Sequence, residues 1–97
     1  MELLRPSPSA KNDRPVKIFP NPASAKEPIT VFLDQTIQGL VRIDLLDRDG
    51  SCVYRQVYCS AQPVSSLELR LAPMPSGLYI LRLVHDGHSA LQRLLLQ

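Results

Sequence analysis

Two Asp-Gly dipeptides, Asp49-Gly50 and Asp86-Gly87, each set between stretches of alternating apolar and polar residues, constrain this chain more than any other feature. A two-residue type I′ turn needs positive φ at both central positions, and Asp-Gly is among the pairs that tolerate it. Period-two alternation then places every second side chain on one face of a strand. The first turn sets Arg48 against Ser51, Leu45 against Tyr54 and Val41 against Tyr58, and on the opposite face Asp44 against Arg55. The second pairs Tyr79 with Leu94, Leu81 with Gln92 and Leu83 with Ala90, and on its other face Leu78 with Leu95, Ile80 with Arg93 and Arg82 with Leu91. In the first hairpin the apolar pairs share one face and the charged pair the other, so slipping its register by one residue would invert both sets and the register is well specified.

The remaining segments read the same way. Val16-Lys17-Ile18-Phe19 is the first apolar stretch, and Pro20 and Pro22 after it cannot donate to a ladder, so its strand is short or an edge. Ile29 to Leu33 and Leu67 to Leu71 alternate, and Met74-Pro75-Ser76-Gly77 reads as a type I turn. No segment keeps a helical period. Nine prolines and no tryptophan suit short segments joined by turns. The expected fold is all-β, an immunoglobulin-like antiparallel β-sandwich of about six or seven short strands. It would occupy residues 16–97, behind a polar, proline-containing flexible linker at residues 1–15. At 97 residues, one such core can fold without staples.

Charge excludes one class of partner. Residues 1–28 hold five basic groups against three acidic ones, and residues 29–97 hold six of each, so the body offers no basic field for nucleic acid. No run approaches the ~18–20 apolar residues of a transmembrane helix, and the first residues lack the apolar core of a secretory signal. A chain complete at 97 residues would then stay in the cytoplasm, whereas a fragment of a longer parent would take its export signal from upstream. The fragment reading is favoured. Cys52 and Cys59 lie seven positions apart on one expected strand. That is about 23 Å, well beyond a disulfide's reach, so both are read as small semi-buried residues.

The order of motifs carries a resemblance. Ile18-Phe19-Pro20-Asn21-Pro22 comes first, then Leu46-Asp47-Arg48-Asp49-Gly50. Pro75-Ser76-Gly77-Leu78-Tyr79-Ile80-Leu81, the Asp86-Gly87 turn and the closing Arg93-Leu94-Leu95-Leu96-Gln97 follow. This set resembles the C-terminal sorting domain (type A) of the type IX protein secretion system, over residues 16–97. One arginine stands in the final strand where that family often has several lysines. The resemblance implies a folded label on an exported parent with its own signal peptide. Such a label is recognised in the periplasm by the translocon, carried across the outer membrane and received by an outer-membrane shuttle protein. A surface sortase then cuts it off, and residues 1–15 are the natural place for the cut. The cargo would end at the cell surface or be secreted. The competing reading is a structural or adhesive sandwich with no transport role.

Two candidate recognition features lie near the C-terminus. Leu78, Ile80, Leu91 and Leu95 surround Arg82 and Arg93 on the expected outer face, either as a docking patch or beneath a covering loop. The last strand, through Leu96 and Gln97, offers its backbone to a receptor strand if it is an edge, or is an ordinary paired strand. His85 and His88 flank the second turn, but two imidazoles and a carboxylate on an exposed tip are expected to hold no metal. The acidic run Asp44 to Asp49 lacks calcium-loop spacing and is assigned to the turn and the Asp44–Arg55 pair. Nucleophile elbow, zinc-protease helix and phosphate-loop motifs are missing, so no enzyme activity, cofactor or small-molecule ligand is expected.

Overall fold

A computed structural model describes residues 16–97, and the linker expected at residues 1–15 lies outside the described residues. Five strands form: β1 (Val16–Phe19), β2 (Ile29–Leu46), β3 (Cys52–Leu69), β4 (Gly77–His85) and β5 (His88–Leu96). The ladders between these strands are antiparallel within one sheet: β3 runs along one side of β2, while β1 and β4 share the other side and β5 pairs with β4.

The fold is all-β, but the strand count corrects the expectation of six or seven short strands in two sheets. The 29–33 and 40–48 segments are one 18-residue strand, and the segments from Cys52 and around Leu67 are another. Both turn a corner at register shifts between Phe32 and Gly39. A bulge allows this because it bends and twists a strand without ending its ladder. The sheet therefore curls on itself as one open body.

The shifts also set which residues are buried. In β2 the odd positions face inward on both sides of the corner: Ile29 and Val31, then Val41, Ile43 and Leu45. In β3 the partner of Ile43 is the even Gln56, while the partner of Val31 is the odd Leu67. The net offset of one residue thus lets Tyr54 and Tyr58 face the core from one arm, and Leu67 and Leu69 from the other. In the second hairpin Tyr79, Leu81, Leu83, Ala90, Leu94 and Leu96 complete the core. Three phenols close the ends: Tyr54 Oη donates to Arg70 O (3.2 Å), Tyr58 Oη to Glu68 O (2.8 Å) and Tyr79 Oη to Pro75 O (2.7 Å).

Along their stems, both hairpins keep the expected registers. Val41 faces Tyr58, Leu45 faces Tyr54 and Asp44 faces Arg55, and β4–β5 keeps one register from His85↔His88 to Gly77↔Leu96. The first turn differs in kind, and Ser51 meets Asp47 rather than the expected Arg48. Only Gly50 has positive φ (85°) there, and the reversal closes at Asp47, whose N–H donates to Ser51 O (2.9 Å) and whose carbonyl accepts from Gly50 N (2.9 Å). The Asp47 carboxylate takes the N–H groups of Asp49 and Ser51, both at 2.9 Å. A side chain that caps its own turn removes the need for a second left-handed residue. The longer turn is absorbed by a shift between Leu45 and Leu46.

Candidate functional site

Side chains of β3, β2, β4 and β5 form the outer face in cross-strand rows. Val57, Arg42, Val84 and Ser89 make one row, and Arg55, Asp44, Arg82 and Leu91 the next. Leu46, Ile80 and Arg93 follow, then Leu78 and Leu95. The expected patch is present: Leu78, Leu91 and Leu95 are 49%, 51% and 41% exposed, so no described segment covers them. Ile80 and Arg82 are half-buried and Arg93 is exposed. Leu96 is a correction to the candidate surface. Its side chain is in the core, because even positions of β5 face inward, and only odd ones can meet a partner.

The edge of β5 is partly closed by the proline motif. The chain passes Phe19-Pro20 and Asn21-Pro22 through cis peptide bonds and lies against the end of β5. Asn21 Nδ2 donates to Arg93 O (2.9 Å), and Leu95 N donates to Asn21 Oδ1 (3.0 Å). Ala23 N then donates to Leu95 O and Gln97 N to Ala23 O, both at 2.8 Å. An asparagine side chain carries the same donor and acceptor as a peptide group, so Asn21 stands in for one residue of a neighbouring strand where the prolines cannot donate. Of the two readings of the last strand, backbone groups open to a receptor or already paired, those of Leu95 and Gln97 follow the second, engaged within the domain.

Asp44 is the electrostatic centre of the outer face. Its buried carboxylate receives Arg55 Nε (2.8 Å), Arg82 Nη2 (2.8 Å) and Nε (3.2 Å), and Arg42 Nε (3.2 Å). Burial alone would raise its pKa, but hydrogen bonds from Arg55 and Arg82 and the charge of Arg42 outweigh it and hold the pKa below the usual carboxylate value. Sequence reasoning found Arg55 through the hairpin register. It missed Arg82, which meets Asp44 only because β4 pairs with β2. Burial also pushes the Tyr54 and Tyr58 phenols up.

The other candidates separate. Asp49 and Gly50 lie within the first turn, which Asp47 closes, and Asp86 and Gly87 form the second; Pro75 and Gly77 lead into β4, and Tyr79 and Leu81 are core. His85 and His88 face each other, and a His85 ring nitrogen lies 3.0 Å from Gln38 O. Cys52 and Cys59 are exposed free thiols rather than semi-buried ones, because β3 is an edge strand there and both lie on its solvent side. No described helix is long and apolar enough to cross a membrane.

A search of curated proteins finds no match to this chain. A family model described as a secretion system C-terminal sorting domain matches residues 17–97, which is nearly the whole described body and includes the proline motif, both turns and β5. The chain belongs to the type IX secretion system C-terminal sorting domain family.

Proposed function

We propose that this domain acts as a folded address on a longer exported parent, recognised in the periplasm by the type IX translocon and received by an outer-membrane shuttle. A surface sortase then removes it in the segment before residue 16, leaving the cargo at the cell surface or released. The domain works by being bound and carries out no chemistry of its own. The observation that carries this reading is the family match over residues 17–97, joined to an uncovered apolar and arginine-bearing face at Leu78, Leu91, Leu95 and Arg93. Corners divide β2 and β3 into two arms each, which supports an immunoglobulin-like wrapping around one core as the shape that is gripped.

The test is to fuse the full chain behind a signal-bearing reporter in a bacterium with this machinery. The parent fusion should reach the surface. A Leu91→Ser, Leu95→Ser variant should stay in the periplasm while its circular dichroism matches the parent. A parent fusion that never leaves the periplasm would refute the sorting reading and favour a structural or adhesive module.

A further inference from the structure

The outer face holds more positive charge than it neutralises. Asp44 supplies one negative charge to Arg42, Arg55 and Arg82, and Arg93 stands exposed one row away. The three cradle arginines are 39%, 51% and 33% exposed, and their bonds to Asp44 use each Nε and one terminal nitrogen of Arg82. A guanidinium has five N–H donors, so terminal nitrogens remain for another acceptor. Asp44 also holds the three side chains in place, which lowers the entropy lost when a second anion binds.

We infer that this face receives an acidic and apolar segment of the protein that recognises the domain. Its carboxylates meet Arg42, Arg55, Arg82 and Arg93, and its apolar side chains cover Leu91 and Leu95. The inference rests on the sorting reading and names the chemistry of its partner. Other occupants fit less well. A second copy in a two-fold contact would set arginines against arginines. Residues 1–15 carry three basic groups against two acidic ones, the wrong sign. Nucleic acid would leave the exposed leucines uncovered.

The reporter fusion separates these cases. Arg42→Gln with Arg93→Glu should cut surface delivery at least tenfold while its circular dichroism matches the parent, and Arg42→Lys with Arg93→Lys should keep most of it. Arg93→Glu alone, outside the Asp44 cradle, keeps the test valid if the double variant misfolds. Normal export of the charge variants beside failed export of Leu91→Ser, Leu95→Ser would overturn the acidic partner and leave docking intact. Normal export of both sets would remove the docking reading as well. Dimerisation of the purified chain that Arg93→Glu abolishes, or retention of a single-stranded oligonucleotide, would also overturn it.

Discussion

The two hairpins share an Asp-Gly dipeptide and reverse the chain differently. At the second, Asp86 (φ 53°) and Gly87 (φ 79°) are both left-handed, and the register runs unbroken along β4 and β5. At the first, Gly50 alone is left-handed, Asp47 caps the turn, and a shift follows at once. Asp-Gly therefore marks where a chain turns back, while the residue two positions earlier decides how. The stems differ too. The inward apolar side chains of the second hairpin are buried in the core, whereas Tyr54 and Tyr58, the inward residues of β3 nearest the first turn, are only partly buried.

Core deletion should separate the stems most. Leu94→Ala, at a fully buried position, should cost about 2–5 kcal/mol by urea unfolding. Tyr58→Phe, losing one phenol bond, should cost about 0.5–1.5 kcal/mol, and equal losses would break the contrast.

Asp44 joins the hairpins through Arg55 and Arg82, so its removal tests whether they unfold together. Asp44→Asn should cost about 1–3 kcal/mol at neutral pH. Its folded pKa is depressed, so its contribution is present above the ordinary carboxylate pKa and is lost as pH falls through the folded value. Melting temperature should drop on acidification below about pH 4 in the parent, and less steeply in the variant.

Asn21→Ala should act on the second hairpin alone. Loss of two hydrogen bonds at the β5 edge should cost about 1–2 kcal/mol and speed hydrogen exchange at Leu95 more than at Leu45. Uniform acceleration across the domain would show that the proline motif supports the whole fold instead.

The smallest effect compares the turns. Asp47→Ala should cost about 1 kcal/mol because it strips two backbone N–H groups of their acceptor, and Asp86→Ala should cost less. The reverse order would show that left-handed geometry, not capping, limits these turns.

The class of fold, the registers of both hairpin stems and the faces of β4 and β5 were legible in the order of residues alone. Each depends on partners joined by a short turn, where period-two alternation leaves one register that buries the apolar side chains. Folding of the whole chain was needed to set β4 beside β2, which brings Arg82 to Asp44 across 38 positions, and to bring Asn21 to Arg93 and Leu95 across 72 and 74. It also joined the separate strand segments around a corner. Alternation says which face of a strand is apolar, but carries no information about which distant strand will cover it. That choice belongs to the whole chain as it closes around one core.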